Sequence, residues 1–252
     1  MIGVVLVAGV SRRLFPLTEF RPKCLLEVGE RTIFDFQMDA LRSVGVKEVC
    51  LVVGYRREQI MEHATRQHPK MNFTPVVNHH FFETNTAKSL WWAAEHFMDR
   101  DMILLNGDVL FDPRVIQRVA EGRDPANMAV EVKPCGDEEV KVVVDDSGRI
   151  HEIGKEIDPE RTLGEFIGVA HFSAPFTNAL YRSLDALVRT PEGQQAYYER
   201  AIESILSTTH AQAVDVTELP CVEIDFPEDY ERARKDIFPR FERESGGHIL
   251  AR

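Results

Sequence analysis

No run of apolar residues in the chain approaches the ~20 that a membrane-crossing helix needs, so an integral membrane protein of that kind is not expected. Cysteine is scarce. Cys24, Cys50, Cys135 and Cys221 stand far apart without a C-x-x-C pair, a pattern that reads as free buried thiols and not as a disulfide framework or zinc site. The nine histidines include the pair His79-His80, but none has a partner at zinc-finger spacing. Basic residues are outnumbered, 30 against 41 acidic, and the formal charge is −11. The extended basic surface required for broad nucleic-acid or anionic-membrane binding is therefore missing. After Met1 the chain enters an apolar run with no basic n-region and no small-residue cleavage site, so the expected compartment is the cytoplasm.

What is present suits a soluble globular protein. The 252 residues are 44% hydrophobic and 28% charged, enough for one large α/β domain or two small ones. "IGVVLVAG" (2–9), "EVCLVVG" (48–54) and "DMILLNGD" (101–108) are near-continuous apolar runs, as expected of strands buried on both faces. "FTPVV" (73–77) adds a short strand. Between them, 32–45, 57–67 and 86–98 carry apolar residues at helical spacing. This alternation predicts an α/β fold, a doubly wound, mixed but mostly parallel sheet in three layers. From about residue 126 the pattern turns to strands joined by turns, within 128–134, 140–153 and 164–173, with Asp146-Ser147-Gly148 as a hairpin turn. Helices at 175–189 and 191–207, strands at 212–216 and 221–224, and a helix from Pro227 complete the reading. Without a linker or repeat, residues 1–236 read as a single domain and 237–252 as a loosely held polar tail.

Against the acidic mean, "GVSRRLFPLTEFRPK" (9–23) gathers Arg12, Arg13, Arg21 and Lys23 directly after the first strand. It is neither G-x-G-x-x-G nor G-x-x-x-x-G-K-[ST], so dinucleotide-binding and P-loop readings lack a motif. A glycine at a strand end still permits close backbone approach to an anion, with Arg as a planar fork and Lys as a point charge. Asp108 and Asp225 each follow an apolar run, with Glu223 two residues before the latter. Carboxylates on a ligand-binding rim suit Mg²⁺, although Asp225 also reads as a helix cap and Asp108 as a turn residue.

"LVAGVSRRLFPLTEFRPKCLLEV" resembles the signature of the nucleotidyltransferases that activate sugar phosphates and related small phosphates. Leu6, Ala8, Gly9, Arg13, Leu14, Pro16, Leu17, Thr18, Pro22, Lys23 and Leu25 fall in register. "LLNGDVLFD" resembles the family's metal-binding loop, "GRIHEIGKEI" and "GEFIGVAHFS" its acceptor side, and "EIDFPEDYERA" its closing motif. "ETNTAKSLWWA" looks more like the choline-phosphate, inositol-phosphate and phosphonate cytidylyltransferase branch than the sugar-phosphate one. The likeness covers nearly the whole chain. It departs at Ser11 and Arg12, where the family usually has Gly and a small residue. Ser11 is therefore expected to alter the turn, since non-glycine residues are restricted at positive φ.

The resemblance implies a Mg²⁺-dependent transfer of CMP from CTP to a small phosphate or phosphonate, resembling phosphocholine, aminoethylphosphonate or inositol phosphate, with release of pyrophosphate. Two alternatives stay open: a sugar-1-phosphate transferase using UTP, dTTP or GTP, and a non-catalytic nucleotide-binding regulatory homologue. It further implies that 1–125 is mainly nucleotide-binding and 126–236 mainly acceptor-binding. Leu6, Ala8, Gly9, Val10, Ser11, Asn85, Ser89 and Gly107 are expected at the nucleotide. Arg13 would face the β/γ-phosphates and Lys23 the α-phosphate, while Asp108 and Asp225 would hold the metal. Lys155 is expected at the acceptor, with Lys141 as second candidate. Glu165 and the run Asp137-Glu138-Glu139 would favour a cationic head group. Arg12 and Arg21 have no assigned role. Neither nucleic acid nor membrane is an expected partner, and a homo-oligomer stays open.

Overall fold

The computed structural model describes residues 1–244. In chain order the elements are β1 (Ile2–Val7), β2 (Glu27–Val28), β3 (Arg31–Thr32), α1 (Ile33–Ser43), β4 (Glu48–Val53), α2 (Arg57–Gln67) and β5 (Asn72–Val77). Then come α3 (Thr86–Trp92), α4 (Ala94–Phe97), β6 (Met102–Asn106), β7 (Val109–Phe111), α5 (Pro113–Glu121) and β8 (Ala126–Glu131). The second half holds β9 (Lys141–Val144), β10 (Ile150–Gly154), β11 (Gly164–Phe172), α6 (Ala174–Val188), α7 (Glu199–Glu203), β12 (Ala211–Asp215) and β13 (Cys221–Glu223). The chain closes with α8 (Pro227–Arg232), a π-helical turn at Ala233–Ile237, and α9 (Phe238–Glu244).

β1 explains why the first apolar run lacks polar alternation. Ile2 and Val4 face one core, with α3, α4 and α6, while Val5 and Val7 face another, with α1, α2 and α5. Successive side chains of a strand point to opposite faces, so a strand covered by helices on both sides must be apolar throughout. The result is a three-layer α/β/α molecule. Strands β6, β1, β4 and β5 form a parallel centre, with Leu6 opposite Asn106 and Val52. β11 pairs antiparallel to β6, and carries β8 and β9 on its other edge through a register shift between Phe166 and Ala170. β12 adds to β8, and β10 to β9. This is the mixed, centrally parallel sheet that the alternation predicts.

A smaller unit lies at the rim. β7 pairs antiparallel with β13, Val109 opposite Glu223 and Phe111 opposite Cys221. A third core of Leu14, Val28, Phe36, Leu110, Ile224 and Phe241 packs beside this ribbon. Neither β7 nor α5 was expected. Yet Asp112-Pro113 is a helix start, since the Asp112 side chain accepts from the Arg114 amide at 2.9 Å and Pro113 stands at the first helical position.

Two expected helices are broken. The 86–98 segment divides at Ala93, with Trp91 against the core and its Nε1 donating to Asp185 (3.1 Å), and Trp92 left 40% exposed. Within 191–207 the carbonyls of Gln194 and Ala196 accept instead from the amides of Asn85 and Ala87, which ends helical pairing before α7. The segment read as a tail begins as helix, with Ile237 and Phe241 buried; residues 245–252 lie outside the described residues.

Candidate active site

A cleft of about 430 Å³ opens at the carboxyl ends of β1 and β6, where ligands bind in open α/β sheets. Two close approaches shape its floor. A Cβ on Gly107 would lie 2.6 Å from the Leu6 carbonyl, and one on Gly54 2.7 Å from that of Ala8. At Gly9 a Cβ would meet nothing within 4 Å. The missing side chain there clears space in the cleft and is not required by packing.

Ser11 takes the left-handed conformation, φ 55°, although it carries a side chain. Such a residue costs roughly 1–2 kcal/mol relative to ordinary backbone. The fully buried Thr18 holds it there by donating its hydroxyl to the Ser11 carbonyl at 2.8 Å, and the Leu14 amide donates to the same oxygen. The turn is thus kept without the glycine.

Lys23 leaves this loop and lies between two carboxylates, 3.0 Å from Asp108 Oδ2 and 2.7 Å from Asp225 Oδ1. Burial disfavours its charge, but the two carboxylates outweigh burial and hold the ammonium above its ordinary pKa. Burial likewise opposes ionisation of Asp225, yet Lys23 and Arg13 keep its carboxyl below the ordinary value. The β7–β13 ribbon makes this meeting possible. The Ile224 amide donates to the Asp108 carbonyl at 3.0 Å, fixing two loops remote in sequence at one ribbon end. Asp225 is not the helix cap. Asp229 takes that part, accepting from the amides of Asp225 and Phe226 and so pinning the backbone of Asp225. Arg13 stands outside, half exposed, 3.8 Å from Asp225 and 3.3 Å from Glu138, with Phe226 beneath it.

Asp108, Glu223 and Asp225 place carboxylate oxygens within 4.8 Å of one another. Burial, with the charges of Asp108 and Asp225, pushes the Glu223 carboxyl up. Asp108 Oδ1 is buried without a hydrogen-bond partner among the described residues. Three converging carboxylates, one of them with an unsatisfied oxygen, form a donor set that fits a divalent cation. Glu223 was noted in the sequence but not assigned to this set; its signal is the i, i+2 spacing to Asp225, which puts both on one side of an extended chain. Cys24 also lines the cleft, but burial pushes its thiol up to about 12, leaving no thiolate nucleophile.

Leu6, Ala8, Gly9, Ser11, Asn85, Ser89 and Gly107 line the cleft; Val10 does not. Asn85 caps α3, its side chain accepting from the Thr86 amide (2.8 Å), and Ser89 accepts from Asn78 at 3.0 Å. Arg12, without an assigned role, lines the cleft and covers Phe82 at 5.5 Å. Arg21 pairs with Glu27 away from it. Lys155 also lines the cleft, its ammonium 4.9 Å from the Tyr197 ring centroid and 3.7 Å from the Glu138 oxygen that Arg13 also meets. Lys141 does not reach the cleft: opposite Gly154 in the β9–β10 pair, it is 1% exposed and donates to the carbonyl of Lys155 at 2.5 Å. Glu165 is turned away as well, 2.5 Å from Lys133. Of the expected Asp137-Glu138-Glu139 run, Glu138 lines the cleft, and so does Glu199, which was missed because its segment reads as plain helix.

The nucleotidyl transferase family model matches residues 2–152, which span the cation loop, the Asp108 turn and most of the parallel sheet. The chain belongs to the nucleotidyltransferase family. Among curated relatives, this nucleotidyltransferase is similar to the CMP-5′-(3-aminopropyl)phosphonate synthase of Streptomyces rubellomurinus, 33% identical over 247 residues. That match takes in 92% of this chain, which spans only 38% of the synthase's length. It is 24% identical to the CTP:phosphoglutamine cytidylyltransferase of Campylobacter jejuni, over 92% of this chain and 98% of that one. The solved CTP:phosphocholine cytidylyltransferase of Streptococcus pneumoniae shares the nucleotidyltransferase fold, with a TM-score of 0.78 at 19% identity, over 93% and 98% of the two chains.

Proposed function

We propose that the protein is a cytidylyltransferase that moves CMP from CTP to the phosphate or phosphonate of a small molecule. The observation that carries the reading is Lys23 between Asp108 and Asp225 at the mouth of a cation-lined loop, in a chain that has relatives named for CTP- or CMP-linked chemistry. A regulatory homologue would be free to lose those positions, and all of them converge.

An acceptor oxygen attacks the α-phosphorus in line. A new P–O bond forms as the α–β bridging bond breaks, and pyrophosphate leaves with the bonding electrons. A phosphate ester with a second pKa near ~6 is already mostly dianionic at neutral pH, so no general base is needed. The protein has to offset repulsion between polyanions and align them. In this reading Lys23 meets the α-phosphate and Arg13 the departing pyrophosphate, while backbone at Ala8 and Gly9 lies against the nucleotide. Lys155 orients the acceptor anion, and Lys141 fixes the backbone of Lys155. Asp108, Glu223 and Asp225 would hold Mg²⁺, which when bound supplies charge neutralisation to the phosphates.

Pyrophosphate release measured with CTP, UTP, GTP and dTTP against a panel of phosphates and phosphonates tests the reading. CTP should be preferred; comparable turnover with UTP or GTP would overturn the cytidylyl assignment. Asp108→Ala should abolish Mg²⁺-dependent turnover with the thermal transition retained. Lys23→Ala should lower kcat on the order of 100-fold, the scale of losing one oxyanion donor.

A further inference from the structure

We propose that Glu199 selects an acceptor bearing a protonated primary amine on the far side of its phosphorus group. The inference rests on the acceptor reading above and adds to it the chemistry of the acceptor's other end.

Glu199 is 4% exposed, lines the cleft, and leaves its Oε2 without a hydrogen-bond partner. A buried acceptor left unsatisfied is destabilising, more so when charged, and burial pushes this carboxyl up to about 7. The charge of Lys155 opposes that rise, and Lys155 and Tyr197 line the same cleft. The backbone amide of Glu199 and the Tyr198 hydroxyl act on the Glu199 carboxyl and oppose the rise, yet among the described residues Oε2 itself is left without a hydrogen-bond partner.

The cleft therefore offers both a cation for an oxyanion and an unsatisfied oxygen that calls for a donor. A short zwitterion with a phosphonate or phosphate at one end and an ammonium at the other answers both. A primary ammonium donates N–H and charge together, giving the stronger, charge-assisted hydrogen bond. A hydroxyl donates without charge. A quaternary ammonium carries charge but no N–H, and would leave Oε2 unsatisfied. It would depend instead on an aromatic face, and that of Tyr197 already lies against the Lys155 ammonium.

Calorimetric binding of three probes tests this: 2-aminoethylphosphonate, its N-trimethyl analogue and propylphosphonate. Each is titrated into the wild type and Glu199→Gln, with Mg²⁺ alone and with the α,β-methylene analogue of CTP. The wild type should bind 2-aminoethylphosphonate at least about 10-fold more tightly than either other probe, the scale of one charged hydrogen bond. In Glu199→Gln that margin should vanish, with propylphosphonate binding unchanged. Equal binding of the three by the wild type, tighter binding of the trimethyl probe, or no binding of any, overturns the proposal, and these outcomes need no folded variant. A margin retained in Glu199→Gln also overturns it. The readout is binding without turnover, so preference for a nucleotide other than CTP would overturn the transfer reaction and leave the amine discrimination standing.

Discussion

At the scale of single residues, the cation loop shows how a motif survives the loss of a glycine. Ser11 keeps the left-handed backbone because Thr18, buried beneath it, fixes its carbonyl. The Ser11 departure was legible in the sequence, but its remedy was not, since nothing in spacing tells that Thr18 turns back to position 11. Thr18→Val removes that hydroxyl with little change of shape and should cost about 1–3 kcal/mol in urea-denaturation stability, the scale of an unmet buried hydrogen bond. Gly9→Ala makes a contrasting case. With open space around the added methyl and no positive φ at this position, the denaturation midpoint should hold while the nucleotide KM rises several-fold. A collapse in stability with unchanged KM would show that Gly9 serves packing and not the nucleotide.

Among elements, the parallel strands and their helices were readable because each apolar run is long and bracketed by a helix of the right period. The β7–β13 ribbon was not: two three-residue strands carry too little pattern, and only tertiary pairing reveals them. That ribbon is what joins Asp108 to Asp225, so the clustered carboxylates were visible singly while the device assembling them was hidden. Lys141 failed as an acceptor residue for a related reason. Strand register turns it onto the backbone of Lys155, and register is invisible without the partner strand. Another element-level joint ties α1 to α2. Burial by itself would raise the Asp35 carboxyl, but hydrogen bonds from His63, His68 and Thr32 outweigh it and hold the group well below the usual carboxylate range. A carboxyl with a depressed folded pKa stabilises fully above its unfolded value, near ~4, and loses that contribution as pH falls toward the folded value. Asp35→Asn should therefore be clearly less stable than wild type at pH 7, with the gap narrowing below about pH 4. Urea midpoints at pH 7, 4 and 3 check this, and a constant gap would contradict it.

Over the whole molecule, a charge of −11 coexists with a local cation cluster. Net charge describes solubility and long-range fields, whereas a cleft answers to the few groups that line it. Arg12, Arg13, Lys23 and Lys155 line it from both halves of the chain. Among the described residues, no helix is long and apolar enough to cross a membrane. The central claim is transfer of CMP to a phosphorus oxyanion, and ³¹P NMR of the protein with CTP, Mg²⁺ and 2-aminoethylphosphonate tests it most directly. The account predicts a new phosphate–phosphonate anhydride and pyrophosphate in equal amounts, both lost on chelation of the metal. Unchanged CTP alongside turnover of another nucleotide, or orthophosphate without the anhydride, would contradict it.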